Sequence, residues 1–101
     1  MKVVYIAGKF RASTHYQIHL NIIHAEAAAL KWWKQGYSVI CPHLNTAHFQ
    51  NECSDDVWLK GCEELVRRSD IVYMLKGWET SQGSRRELEL AIELGKEIEY
   101  E

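Results

Sequence analysis

Strand-like and helix-like segments alternate along the whole of this 101-residue chain. Four short runs are rich in apolar and β-branched residues and are bounded by turn residues, as expected of buried strands. The longer segments between them carry apolar residues at helical spacing. The predicted strands are residues 2–7, 37–41, 71–75 and 97–100, the predicted helices are 16–34, 55–68 after an N-cap at Ser54, and 84–94, and a loop is predicted over 43–53.

This alternating order determines the class of fold. Strands joined by helices form a parallel sheet with right-handed crossovers, and helices cover both of its faces. No linker, repeat or low-complexity tract interrupts the pattern, so residues 1–101 are predicted to form a single α/β domain. Ligands of such sheets bind beyond the carboxyl ends of the strands, where the strand order reverses. Two predicted loops lie at that edge, residues 8–13 and residues 77–83.

Composition excludes several classes of function. With 12 basic and 14 acidic residues, the formal net charge is −2, so no positive field attracts a nucleic acid polymer or an anionic membrane surface. The apolar run 3–7 is too short for a signal peptide or a membrane span. Three cysteines are too few for a disulfide framework. We therefore expect reduced thiols and a cytoplasmic protein.

The aromatic content is high for a chain of this length. Four tryptophans and five tyrosines are many for a small interior to bury. Trp32 and Trp33 are adjacent, so on a helix they point about 100° apart and cannot both face one core. One of them is expected to cover a subunit interface or the edge of the cleft. The chain is therefore predicted to form a homodimer or a higher homo-oligomer.

The loop after the first predicted strand is a candidate phosphate site. It combines Gly8 with the cations Lys9 and Arg11, and a helix begins just beyond it. Backbone N–H groups at a helix N-terminus, together with an arginine, suit a phosphate. The plainer alternative is that both cations are ordinary surface charges, because the loop lacks the glycine spacing of a P-loop or a dinucleotide-binding loop.

The start of the third predicted helix is a second candidate. Ser84 and Glu87 have the spacing of a capping box, which by itself explains both residues. Glu87 also lies in the first turn of a helix at the carboxyl edge of the sheet, where its carboxylate can face the cleft. A capping role does not exclude a catalytic one, so both interpretations stay open.

The spacing of the histidines does not indicate a metal site. His15 and His19 are four residues apart, but the glutamate of the zinc-protease pattern is missing, and no metal is expected. His43 and His48 lie in a polar segment and are expected to line the cleft or lie at the surface. Cys62 is expected to face partly inward from its helix.

Several segments resemble the nucleoside 2-deoxyribosyltransferase superfamily, especially its small, often phage-encoded members, over nearly the whole chain. The most specific element is Ser81-x-Gly83-x-x-x-Glu87-x-x-x-Ala91-x-x-x-Gly95. The resemblance implies a Rossmann-like three-layer sandwich with a small, mainly parallel four-stranded sheet and helices on both faces. The matching segments are VVYIAGKFRA, the helix 21–33, CPHLNT, RRSDIVYML and GWETSQGSRRELELAIELGKEI.

The resemblance also implies a chemistry. Glu87 occupies the position of the nucleophile, which attacks the anomeric carbon to form a glycosyl-enzyme ester that water or a second base resolves. Tyr5 matches the tyrosine that orients this nucleophile. Gly8-x-x-Arg11 resembles a phosphate-contacting loop, and Ser81 stands where members that hydrolyse nucleoside 5′-monophosphates carry serine. The implied ligand is a small nucleotide or nucleoside, and neither a metal nor an organic cofactor is required.

One residue departs from the family pattern. Cys62 falls where the family usually has an aspartate that binds and protonates the base, and a thiol is a poor substitute for that acid. Glu63 or Glu64 is adjacent but is expected to point elsewhere on the helix. His43 or His48 is an alternative proton donor. The expected substrate-binding residues are Gly8, Lys9, Arg11, His43, Cys62, Ser81 and Gly83.

Three hypotheses about function follow from these residues. The first is an enzyme that cleaves or transfers the N-glycosidic bond of a nucleoside 5′-monophosphate or nucleoside. The second is a non-catalytic module that binds and sequesters a nucleotide. The third is cleavage of an NAD-derived nucleotide, since the same chemistry breaks any activated N-glycosidic bond.

Overall fold

The computed structural model describes residues 1–101 as one parallel sheet with helices packed against it. In chain order the elements are β1 (Val3–Ala7), α1 (His15–Lys34), β2 (Ser38–Ile40), α2 (Pro42–Asn45), α3 (Asp55–Arg67), β3 (Ile71–Met74), a 3₁₀ turn (Trp78–Thr80), α4 (Gln82–Glu93) and β4 (Glu97–Tyr100). The strand order is β2-β1-β3-β4, and every neighbouring pair is parallel. The predicted α/β fold is therefore confirmed.

The strand order reverses beside β1. That strand pairs with β2 on one side, where Tyr5 is opposite Ile40, and with β3 on the other, where Ala7 is opposite Met74. The chain therefore leaves β1 in one direction through α1 and returns to its other edge through α3. The loops that follow β1 and β3 flank the crevice at this switch point, as the alternating pattern predicts.

Alternation of side chains along β1 divides the interior into two cores. Val4 and Ile6 face α1 and pack with its small residues and with Trp32. Tyr5 and Ala7 face the opposite side, towards α3 and α4. Helices therefore cover both faces of the sheet, which gives the three-layer Rossmann-like arrangement. The second core also contains Val66, Val72, Met74, Leu88 and Ala91.

The two adjacent tryptophans of α1 have different environments, as predicted. Trp32 is buried and makes edge-on contacts with Tyr37 and Tyr73. Trp33 is 53% exposed. It lies in an apolar groove of about 610 Å³ with residues of α1, β2 and α2.

The ends of the long helices follow the chemistry of their terminal residues. Thr14 is the N-cap of α1, and its Oγ1 accepts a hydrogen bond from the Gln17 N–H at 3.1 Å. Gly36 and Gly95 follow the C-caps of α1 and α4 with φ of 91° and 68°, a left-handed conformation that glycine adopts without strain. None of the helices combines the length and the apolar composition that crossing a membrane requires.

Two of the predicted loops contain short helical elements. α2 occupies the start of the segment 43–53, and a 3₁₀ turn occupies part of 77–83. Pro42 takes the first position of α2, where its missing N–H has no intrahelical partner to lose. Elements of three or four residues are too short to produce a periodic pattern, so the sequence does not reveal them.

The third long helix begins two residues before its predicted start near Ser84. α4 begins at Gln82, and its N-cap is Ser81, whose Oγ accepts a hydrogen bond from the Ser84 N–H at 3.2 Å. Both serines are good N-cap residues, and only the second has a glutamate three positions later. Glu87 is engaged elsewhere, so the capping box does not form.

Candidate active site

A cavity of about 760 Å³ opens at the carboxyl ends of β1 and β3. Its walls come from the loop after β1, from α2 and the segment after it, from α3 and from the start of α4. The structure brings all the predicted site residues together in this lining. They are Tyr5, Gly8, Lys9, Arg11, His43, Cys62, Ser81, Gly83 and Glu87.

The centre of the cavity is a hydrogen-bonded pair formed by Tyr5 and Glu87. Tyr5 lies in the middle of β1 with its side chain directed to the α3–α4 face and almost fully buried. Its hydroxyl donates to Oε2 of Glu87, which lies in the second turn of α4. This contact joins residues that are 82 positions apart in the chain. It gives Glu87 a role other than capping the helix.

The environment of Glu87 controls its protonation. Burial raises the pKa of the carboxyl to about 7, although the hydrogen bond from Tyr5 opposes this shift. The negative charge of Glu63 raises the pKa further. Burial and the adjacent Glu87 carboxylate raise the pKa of the Tyr5 hydroxyl well above its ordinary value, so Tyr5 remains a hydrogen-bond donor at neutral pH. Glu87 is consequently divided between its acid and carboxylate forms near pH 7.

Cys62 contributes the third group of this cluster. It lies on α3, and its thiol adjoins the Tyr5 hydroxyl and Glu87. Burial raises the pKa of the thiol above its ordinary value, so it stays protonated at neutral pH. The expectation that Cys62 faces inward is confirmed.

The neighbouring glutamates of α3 point in different directions. Glu63 lines the cavity, so the expectation that its side chain points away is wrong. Its Oε1 accepts a hydrogen bond from Nε of Arg86 at 2.7 Å. Glu64 is exposed and pairs with Arg68 at 2.8 Å, as expected of a solvent-facing residue. One helical step of about 100° separates these two environments.

The N-terminus of α4 presents two serine hydroxyls to the cavity. Ser81 accepts the hydrogen bond from the Ser84 N–H, which leaves its own O–H free to donate to a ligand. Ser84 is almost fully buried, and its Oγ has no hydrogen-bond partner in the protein. Unpaired N–H groups and the helix dipole favour an anion at this position.

The loop after β1 places its cations at the mouth of the cavity. Nη2 of Arg11 forms an ion pair with Oδ1 of Asp55, the first residue of α3, at 2.5 Å. Packing favours glycine at position 8, because a Cβ on this residue would lie 2.5 Å from Cδ1 of Leu75. Gly83 is under no such constraint, since a Cβ added there would lie 3.9 Å from Cδ2 of Leu59, an ordinary contact distance.

His43 holds this loop in place from α2. Its Nε2 donates to the Lys9 carbonyl at 3.0 Å, so Nδ1, which is buried without a partner, is the unprotonated nitrogen of a neutral ring. Burial lowers the pKa of His43, which keeps the ring neutral at pH 7. A ring in this state positions the loop and is not a ready proton donor. His48 is exposed and does not line the cavity.

The structure adds wall residues that the sequence did not single out. The rings of Phe49 and Trp58 stack with their centroids 6.3 Å apart and form one side of the cavity. Trp58 and Cys62 are four residues apart on α3, a spacing that identifies one face of that helix once Cys62 is known to point inward. Phe10 contacts His43 edge-on at 5.8 Å on another wall.

The histidines at the start of α1 do not take part in the cavity. Neither His15 nor His19 lines it, and no group of three or more histidine, cysteine or acidic side chains in the chain has the arrangement needed to hold a metal ion.

Comparison with known proteins assigns the chain to a family. A search among curated proteins finds no match. The family model described as a domain of unknown function, DUF4406, matches residues 2–100 and so includes every strand and helix and the whole of the cavity. This chain belongs to the DUF4406 family.

Proposed function

We propose that this protein cleaves or transfers the N-glycosidic bond of a nucleoside 5′-monophosphate or nucleoside, with Glu87 as the nucleophile. The observation that carries the proposal is the Tyr5–Glu87 hydrogen bond in the cavity at the switch point of the sheet. A partly buried carboxylate that is oriented by a protonated tyrosine is well suited to attack an electrophilic carbon. The resemblance to nucleoside 2-deoxyribosyltransferases motivates the choice of the anomeric carbon as that electrophile.

The reaction proceeds in two balanced steps. A carboxylate oxygen of Glu87 attacks the anomeric carbon, the bond from that carbon to the base nitrogen breaks, and the nitrogen keeps the electron pair and takes up a proton from solvent. Water or a second base then attacks the same carbon and releases one proton to solvent, and the ester bond breaks with its electron pair returning to Glu87. Two displacements at one carbon give overall retention of configuration. Tyr5 donates to Glu87 at both ends of the cycle and holds its orientation.

The choice of a nucleotide depends on the N-terminus of α4 and the loop after β1. A phosphate placed there meets the free O–H of Ser81, the unpaired N–H groups of the first turn and the guanidinium of Arg11. An aspartate in place of Ser81 would repel a phosphate, whereas a hydroxyl donates to it. These groups support a monophosphate over a free nucleoside.

The alternative function is a nucleotide-binding module without turnover, and the chemistry of Cys62 favours it. A buried thiol with a raised pKa is a weak source of protons for a departing base. Glu63 lines the same cavity, but its Oε1 is already engaged by the hydrogen bond from Nε of Arg86 at 2.7 Å. In this alternative the cavity binds the nucleotide, and release of the base is missing.

Release of free base distinguishes the two functions. The wild type, Glu87→Gln and Glu93→Gln are incubated with nucleosides, their 5′-monophosphates and NAD, and the products are separated by chromatography. Glu93 is an exposed glutamate on the same helix and is the matched control. We expect base release by the wild type and the control, and a loss of at least about a thousandfold in Glu87→Gln because the nucleophile is missing.

Other outcomes assign the protein differently. Equal base release by wild type and Glu87→Gln would refute the role of Glu87. Binding of a monophosphate without base release by any of the three proteins would establish the binding module. Turnover of NAD alone would identify the NAD-derived class of substrate.

We also propose that the chain forms a homodimer or higher homo-oligomer through the groove that contains Trp33. The groove combines Ile23, Leu30, Trp33 and Leu44, each more than 40% exposed. A contiguous apolar surface of this kind on a small protein is typical of an interaction site.

A further inference from the structure

The charges around the cavity are balanced rather than positive. Four basic side chains line it, and so do four carboxyl groups. The basic residues are Lys9, Arg11, Lys60 and Arg86, and the acidic residues are Asp55, Asp56, Glu63 and Glu87. His43 adds no charge at neutral pH because burial lowers its pKa. A doubly charged phosphate therefore enters a site whose two arginines already have carboxylate partners on α3.

The two arginine pairs differ in how easily they exchange partners. In the Arg11–Asp55 pair the side chains are 68% and 62% exposed. In the Arg86–Glu63 pair the glutamate side chain is only 20% exposed, and a second arginine, Arg67, lies 3.9 Å from it. Exposed ion pairs contribute little free energy, whereas a half-buried carboxylate keeps its cations more firmly. Arg11 is thus the arginine that an incoming anion can recruit.

The Arg11–Asp55 pair lies across the mouth of the cavity. Arg11 belongs to the loop after β1, and Asp55 is the first residue of α3 on another wall. Their side chains are the only ion pair that joins these two walls. A phosphate bound by Arg11 offers up to two negative charges and a bidentate arrangement of oxygens, so it competes well with a single carboxylate.

We propose that Asp55 competes with the phosphate of a ligand for Arg11: it holds Arg11 at the mouth of the cavity in the free protein and gives it up when a ligand that carries a phosphate binds. This inference rests on the proposed function in that it takes a nucleotide as the ligand. An uncharged nucleoside cannot displace the carboxylate and therefore binds independently of the pair. Removing the charge of Asp55 should strengthen the binding of phosphate-bearing ligands alone.

Calorimetric titration of binding variants tests this exchange without relying on turnover. The proteins are the wild type, Asp55→Asn, Asp56→Asn, Arg11→Gln and the double variant Arg11→Gln with Asp55→Asn. The probes are inorganic phosphate and a panel of nucleosides with their 5′-monophosphates. Asp56 is the matched control because it also lines the cavity and lies in the first turn of α3, but it has no ion pair.

We expect Asp55→Asn to lower the Kd of the monophosphate about two- to fivefold, the range that the loss of an exposed ion pair allows. Asp56→Asn should give a clearly smaller change, the nucleoside should bind equally to both, and the gain should vanish in the Arg11→Gln background. Equal gains in Asp55→Asn and Asp56→Asn would overturn the proposal, because they would reflect only general charge. A weaker monophosphate complex in Asp55→Asn would overturn it too, because Asp55 would then preorganise Arg11 for the ligand.

The binding role of Asp55 and the release of base can each fail without the other. Exchange of Arg11 in a protein that releases no base leaves this proposal standing and rejects catalysis. Base release from nucleosides alone, with no measurable binding of inorganic phosphate or any monophosphate to wild type or Asp55→Asn, rejects the role of Asp55 and retains the glycosidase.

Discussion

Glu87 is held between two opposing influences at the scale of a single residue. Burial disfavours its charged form, and the Tyr5 hydroxyl favours it through a hydrogen bond. Burial is the larger effect, so the pKa rises from 4.5 to about 7. Glu87 therefore loses its proton more easily in the unfolded chain than in the folded protein.

We predict that Glu87 makes the free energy of unfolding fall as the pH rises from about 5 to about 8. Between the unfolded and folded pKa values, the Glu87 carboxyl is protonated in the folded state and ionised in the unfolded state. Its contribution to the free energy of unfolding is therefore fully present below the unfolded pKa and is lost as the pH rises through about 7. A shift from 4.5 to about 7 corresponds to about 3 kcal/mol. Glu87→Gln, which stays neutral, should remove this fall, as measured by urea unfolding at several pH values.

The control for this prediction is Glu93→Gln on the exposed side of the same helix. It should retain the pH dependence of the wild type. The same slope in Glu87→Gln as in the wild type would show that the buried carboxyl does not control this part of the stability curve.

Gly8 is constrained by its packing against the buried Leu75 side chain. We predict that Gly8→Ala lowers the free energy of unfolding by about 1–3 kcal/mol, because its Cβ would overlap the buried Leu75 side chain. Gly83→Ala is the matched change on another wall of the cavity, where the added methyl group makes an ordinary contact with Leu59. Denaturant titration should show a change of less than about 1 kcal/mol for Gly83→Ala. Equal losses in the two variants would contradict the steric explanation.

At the scale of elements, the first turn of α4 combines a structural task with a functional one. Ser81 satisfies the Ser84 N–H and so starts the helix. The same hydroxyl keeps a free proton for a ligand. Because Ser81 rather than Ser84 caps the helix, Glu87 is free to meet Tyr5. The cap and the proposed nucleophile therefore depend on the same choice of helix start.

Two substitutions at Ser81 separate these tasks. We predict that Ser81→Ala lowers the free energy of unfolding by about 1 kcal/mol, whereas Ser81→Asp preserves the cap and retains the stability of the wild type. Ser81→Asp should nevertheless weaken binding of a nucleoside 5′-monophosphate at least tenfold and leave the nucleoside unaffected, because its carboxylate repels the phosphate. Thermal unfolding and calorimetric titration measure the two effects. Unchanged monophosphate affinity in Ser81→Asp would place the phosphate elsewhere.

α3 supplies one wall of the cavity from residues that are spread along its length. Asp55, Trp58, Cys62 and Glu63 line the cavity from one side of the helix, while Glu64 is exposed to solvent. The helical spacing of α3 can be read from the sequence. The side of α3 that faces the cavity, however, depends on the rotation of the helix, which is set by the packing of Val66 in the second core. The expected direction of Glu63 was wrong for that reason.

At the scale of the whole molecule, the exposed groove on α1 determines the predicted assembly. We predict a dimer or larger species in sedimentation at tens of micromolar, and a shift to the monomer in Trp33→Glu, because a buried charge opposes an apolar contact. Tyr16→Glu changes an aromatic residue that is also exposed on α1 but lies outside the groove, so it should leave the assembly unchanged. A monomeric wild type at that concentration would rule the assembly out.

The sequence by itself determined the order of the elements, the parallel sheet and the edge at which the cavity opens. Those properties arise from local patterns: apolar runs, helical spacing, glycine stops and the rule that parallel strands place their carboxyl ends together. The predicted site residues all lie in one cavity because most of them come from the loops and helix starts at that edge. The start of α4 was predicted less accurately, because Ser81 and Ser84 are both suitable N-cap residues.

The tertiary structure alone decided which side chains act on one another. The contact between Tyr5 and Glu87, the thiol of Cys62 beside them and the pairing of Arg11 with Asp55 all join residues on different elements. Each contact depends on strand register and helix rotation, which arise from packing of the two cores and have no signature within a short stretch of sequence. The pKa of Glu87 follows from burial in that packed environment. Local chemistry therefore selects the elements, and packing determines what their side chains can do.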